Sequence, residues 1–263
     1  MHWVICSCMV CQRQNGIPCL QFERKRLTES NLYEFECSSG AVTISILQQR
    51  KFEILSELAL INFAQNDFSG CCGKLYTAFE RFLEFCQKLV LIENGIVDHQ
   101  ELSYWKDVKS NSERQLGAFL FARELSSKVG QQLWPSTPKL SALSEFRNKI
   151  VHQGHFANEE ETEDFGQKIL GFMFYTIRFM KDHKQDALQR TVSSYIQADY
   201  KRALKRLEVL NIKDSEKGIA TRSVMLRVSL TGEVPEQFSM KALASEADQM
   251  DRFWADIPEG SAS

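Results

Sequence analysis

Between about Gln48 and His183 the apolar residues of this chain recur at helical spacing, and stretches that long can bury their apolar sides only by packing helix on helix. Phe52, Leu55, Ala59, Ile61 and Phe63 predict a first helix ending near Asn66. Leu75, Phe79, Phe82, Leu83, Cys86 and Leu89 put one broad apolar side on a second, from about Gly70 to Glu93. Two shorter helices fit between Asp98 and Ser127. Trp134-Pro135 and Pro138 close that region, because proline and the residue before it resist helix. Ser141 or Ser144 offers a cap for the next helix, which carries Leu140, Leu143, Phe146, Ile150 and Val151 and frays near Gly154. Asn158 then precedes Glu159, Glu160, Glu161, Glu163 and Asp164, acids suited to the positive end of a long helix reaching about Lys181.

The flanks read differently. Gly16, Pro18 and Gly40 break the first 47 residues, and Val42, Ile44 and Ile46 alternate with Thr43 and Ser45 as in a half-buried strand. Beyond His183 the pattern predicts a helix to about Leu210, whose Lys201, Arg202, Lys205 and Arg206 read as a solvated face. It then predicts a strand through Val224, Leu226, Val228 and Leu230, and an amphipathic helix from Phe238 to Trp254. The expected fold is mainly α: a β-rich module over 1–47, a helical bundle over 48–183, and a helical extension with a short strand over 184–263.

Lys plus Arg (32) nearly balances Asp plus Glu (34), so a net charge of −2 excludes a global field that would hold nucleic acid; any such contact is local. No stretch approaches the roughly 20 apolar residues that cross a bilayer, and the start lacks the basic region of a secretory signal. A cytoplasmic protein with no membrane partner is expected. Of the 8 cysteines, five (Cys6, Cys8, Cys11, Cys19 and Cys37) fall in the first 37 residues, which points to metal more than to disulfides. Cys8-Met9-Val10-Cys11 has the spacing of a zinc knuckle, and Cys19 and Cys37 can complete a four-thiolate structural Zn²⁺ site, with Cys6 or His2 as substitutes and reduced structural thiols as the alternative. Cys71, Cys72 and Cys86 fall among helical residues, where buried free thiols are the default.

The run Phe146-Arg147-Asn148-Lys149-Ile150-Val151-His152-Gln153-Gly154 can do chemistry. Arg178 and His183 repeat its Arg-x4-His spacing, so spacing alone does not choose. Positions four apart share a helix face: Asn148 underlies His152, whereas Phe179 underlies His183 and can neither orient an imidazole nor donate to a phosphate. The first match is the candidate.

This motif resembles the Arg-Asn-x3-His signature of HEPN (higher eukaryotes and prokaryotes nucleotide-binding) ribonucleases. The resemblance implies a four- or five-helix bundle that pairs as a homodimer across its motifs. The activity implied is metal-independent cleavage of RNA by attack of the ribose 2′-hydroxyl, with no catalytic cofactor, in a setting such as conflict between bacteria and phages, as a toxin or in antiviral defence. His152 would exchange the proton, Arg147 would meet the charge on the phosphate, and Asn148 would hold one of them in register. Glu80 or Glu84 of the second helix would line the cleft. Gly154 and His155 stand where a nucleotidyl-modified toxin of the family carries Tyr. Residues 31–95 also resemble bacterial and phage proteins joining a Cys-containing β module to segments like Phe52-Glu53-Ile54-Leu55 and Glu80-Arg81-Phe82. The alternatives are a non-catalytic HEPN-like dimer that binds a nucleotide, RNA or a protein, and a structural helical adaptor; an inhibitor or activator protein is a further candidate partner.

Overall fold

In the computed structural model the described residues are 3–16, 21–27, 30–96, 107–108, 112–126, 134–136, 138–210 and 212–256. They are mainly helical, with eight α-helices and five strands. The chain divides into two compact units, one of residues 1–50, 193–225 and 250–263 and one of 51–192 and 226–249. Residues 184–263 are therefore divided between the units.

In the first unit, β1 (Trp3–Ser7) pairs antiparallel with β2 (Phe22–Arg26), and α1 (Met9–Asn15) lies between them in sequence. The second sheet orders β3 (Leu32–Glu36), β4 (Val42–Leu47) and β5 (Lys217–Arg222): β4 runs antiparallel to β3 and parallel to β5. Val42, Ile44 and Ile46 pack on Ala203 and Leu207 of α7 (Gln185–Val209). The alternation predicts a half-buried β4, yet every residue of it is buried. It is the central strand, and its polar face is covered too: the Met9 amide donates to Thr43 Oγ1 (3.1 Å), and Ser45 is fully buried. On α7, Arg202 pairs with Asp199, and Arg206 with Glu34 (3.1 Å).

The second unit contains α2 (Lys51–Ala64), α3 (Phe68–Glu93), α4 (Ser112–Ser126), α5 (Leu140–Gln153) and α6 (Glu159–His183), with the start of α7 and most of α8 (Met240–Asp256). Its centre is aromatic. Phe82 meets Phe52 at 5.0 Å and Phe172 at 6.1 Å, and Phe172 also meets Phe79 and Phe119 edge to face. Asn158 caps α6 with a full capping box, its side chain accepting from the Glu161 amide while Glu161 accepts from the Asn158 amide. At α5 the expected serine cap is absent: the helix starts at Leu140 with Lys139 as an N-cap that makes no side-chain bond. Ser144 is instead bonded to Tyr76, as described below.

The strand expected over 224–230 does not form; β5 lies earlier, at Lys217–Arg222. Two amides of this segment go to buried carboxylates of α2. Arg227 donates its amide to Glu57 Oε2 (3.0 Å) and its guanidinium to Glu57 Oε1 (2.8 Å), and the Leu230 amide donates to Glu53 Oε1 (2.9 Å). Side-chain acceptors on a helix satisfy this segment's donors where a ladder partner was expected.

Candidate functional site

Helix α5 ends at Gly154, whose φ of +70° is the left-handed conformation that glycine adopts without a Cβ penalty; its amide returns to the Lys149 carbonyl. The His155 amide donates to the same carbonyl (3.1 Å). This turn leaves Asn148 and His152 exposed and Arg147 half-buried. Arg147 Nη1 donates to Asn148 Oδ1 at 2.9 Å and lies 3.3 Å from His152 Nε2. A guanidinium can only donate, so the contact makes Nε2 the acceptor and leaves the ring proton on Nδ1. All three predicted residues come together, with Arg147 as the bridge.

Arg147 forms no ion pair with a carboxylate among the described residues. Four of the five acids that could have neutralised it are engaged elsewhere: Glu161 takes His155 (3.1 Å), Glu159 and Glu163 take Lys241 (2.9 and 3.2 Å), and Asp164 takes Lys168. The Asn158 amide, followed by His155, holds the Glu161 carboxyl below its usual range. The cation of Arg147 is thus available to an anion.

The second match is built differently. Arg178 donates to the Pro235 carbonyl (2.7 Å), and the His183 ring packs on Phe179 (5.1 Å), so these side chains serve packing. Glu84 pairs with Arg81 at 2.6 Å, one turn along its own helix. Glu80 lies on the motif's side: burial chiefly raises the Tyr76 pKa, and Glu80 and Arg147 act on the same phenol in opposite senses. Tyr76 is a site residue that sequence reasoning missed. Its ring lies 5.5 Å from the Arg147 guanidinium carbon. The one usable signal was that Tyr76 and Glu80 sit four apart on one face of α3.

In the first unit, Cys8, Cys11 and Cys37 bring their sulfurs within 4.8 Å of one another, and the three can hold a metal ion. Cys8 caps α1 and accepts from the Cys11 amide (3.4 Å), and Cys11 follows one turn later. Cys37 opens the β3–β4 turn, 3.8 Å from Cys11 and 2.9 Å from the Ser39 hydroxyl. Burial opposes ionisation of Cys37, but the Ser39 hydroxyl and amide, the Cys8 thiol and the Ala41 amide outweigh it and bring this thiol down to about 7. Cys19 and His2 lie outside the described residues. Cys6, Cys71, Cys72 and Cys86 are buried thiols, all raised by burial first of all.

No helix of the described residues is long and apolar enough to cross a membrane. No family model matches the chain, and neither a curated protein nor a solved structure does so.

Proposed function

We propose that the chain is a metal-independent endoribonuclease of the HEPN type, acting as a homodimer through Arg147, Asn148 and His152. The observation that carries this reading is the exposed Arg147–His152 pair, 3.3 Å apart, with the arginine free of any carboxylate among the described residues. An RNA phosphate draws the guanidinium onto its non-bridging oxygens, where a planar fork meets two at once. That releases Nε2 of a neutral imidazole, the acceptor needed to take the 2′-hydroxyl proton as its oxygen attacks phosphorus and the bond to the 5′-oxygen breaks. A single imidazole taking up the 2′-hydroxyl proton cannot at the same instant deliver one to the leaving 5′-oxygen, so His152 of a second copy, entering as the imidazolium, gives its proton to that oxygen and ends neutral. Val151 (51 % exposed) and Phe156 (89 % exposed) flank the site and supply the apolar contact such a pairing needs.

The cysteine cluster is read as a structural Zn²⁺ site. Tetrahedral thiolates about 2.3 Å from zinc stand about 3.8 Å apart, the Cys11–Cys37 separation. Cys8, Cys11 and Cys37 would hold the ion, and it would tie α1 to the β3–β4 turn.

Purified protein incubated with cellular RNA in EDTA should leave fragments ending in 2′,3′-cyclic phosphate. His152→Ala should slow cleavage by about a thousandfold, and a 2′-deoxy substitution at the cleaved position should abolish it. Cleavage unchanged in His152→Ala would end the role given to His152, and no cleavage by a wild type that still forms a dimer would favour the binding dimer.

A further inference from the structure

We propose that Tyr76 is a positioning residue for Arg147, holding the guanidinium beside His152 with the face of its ring; this rests on the reading of Arg147 and His152 as the reacting pair. Tyr76 belongs to α3 and is 6 % exposed, so its ring is fixed by the core and not by solvent. It engages α5 twice. The ring stands 5.5 Å from the Arg147 guanidinium carbon, within reach of the attraction between a cation and the negative face of an aromatic ring. Its hydroxyl and that of Ser144 lie 2.8 Å apart in a hydrogen bond. Ser144 and Arg147 are three apart, neighbours on the α5 surface, so one side chain of α3 sets both the register of α5 and the direction of its arginine.

The arrangement addresses a weakness of the motif. Arginine has a long stem with many rotamers, and near the end of a helix little else would restrict it. Its other partners, Asn148 and His152, lie on the same helix and are exposed, and they cannot anchor it to the rest of the unit. Tyr76 can, because a phenol ring is rigid and carries no charge that would neutralise the cation. Burial, the largest influence on Tyr76, keeps the phenol protonated, and Glu80 acts in the same direction. The guanidinium is held and still free to meet a phosphate.

The test is a double-mutant cycle read by cleavage of a short RNA. Tyr76→Leu should lower kcat roughly tenfold with little change in KM, and Tyr76→Phe, which keeps the ring, should stay within about twofold of wild type. In an Arg147→Ala background Tyr76→Leu should have no further effect; an equal loss in both backgrounds would show a purely structural role and overturn the proposal. If the wild type cleaves no RNA, the ribonuclease reading falls by itself, and the placement of Arg147 is then read by NMR of its ¹⁵N-labelled guanidinium. A signal displaced by the Tyr76 ring in wild type and Tyr76→Phe, and undisplaced in Tyr76→Leu, supports the positioning role. An undisplaced signal in the wild type overturns it.

Discussion

The Arg147–His152 pair and the Cys8–Cys11–Cys37 cluster are both small constellations of reactive groups, but they are assembled in opposite ways. The pair is made by one helix: six residues of α5 and a glycine stop bring guanidinium and imidazole together. The cluster needs a helix cap, a helix turn and a hairpin turn 26 residues further along to converge. A site made locally costs the fold little and can be lost without structural penalty. A site made from distant segments is part of what holds those segments together, so the two should respond differently to the same kind of damage.

The largest contrast is expected in thermal unfolding. His152→Ala removes an exposed side chain at a helix end and should change stability by no more than about 0.5 kcal/mol. Loss of a metal from the cluster, by a strong chelator or by Cys37→Ala, should cost the first unit about 4 kcal/mol if the ion is present at a thousand times its dissociation constant. Calorimetry of the two variants, with metal content measured alongside, tests this. A Cys37→Ala protein that unfolds like the wild type and holds the same metal would show that the cluster is a group of packed thiols and nothing more.

A second contrast lies inside the second unit, between its local motif and its longest-range ion pair. Glu57 and Arg227 are 170 residues apart, and their side chains are 1 % and 11 % exposed. Glu57 also accepts the Arg227 amide. Glu57→Ala strands a buried cation and a backbone donor, a loss of about 3 kcal/mol. Urea unfolding should report it as a lowered midpoint. Glu80→Ala, which removes a half-buried carboxylate from α3, should stay well below that. Equal effects would mean that the carboxylates of α2 are no more important to the fold than those near the motif.

These contrasts track what the sequence could reveal. Helices α3 and α6 were legible to within a turn, because their apolar stripes are long and Asn158 with Glu161 is a capping pattern that depends on neighbours alone. The motif was legible for the same reason, as four-residue spacing on a helix places Asn148 under His152 whatever surrounds them. The failures are all non-local. Val224 to Leu230 alternates like a strand, but Glu53 and Glu57, some 170 residues earlier, take its donors. Ser144 looks like a cap until Tyr76, 68 residues earlier, claims its hydroxyl. β4 looks half-buried because alternation cannot register that α1 covers its polar face. Tyr76 was missed because its role depends on which arginine lies above it, and that arginine is on another helix.

The smallest effect expected is a pH dependence confined to the cluster. In the metal-free protein the Cys37 thiol is brought from an ordinary value of 9.0 down to about 7, against the pull of burial, by donors from Ser39, Cys8 and Ala41. Its folded-state pKa is depressed, so the folded state favours the thiolate. The resulting stabilisation is complete above pH 9, and it is lost as pH falls through about 7. The opposite sign would apply to Cys86, where burial raises the pKa and stability falls only when the unfolded thiol ionises. Thiolate absorbance followed by pH titration of metal-free protein should therefore show one step near 7 that disappears in Cys37→Ala and moves upward in Ser39→Ala. A first step at 9 or above would mean that the Ser39 donors do not outweigh burial, and that the β3–β4 turn does not lower the pKa of its thiol.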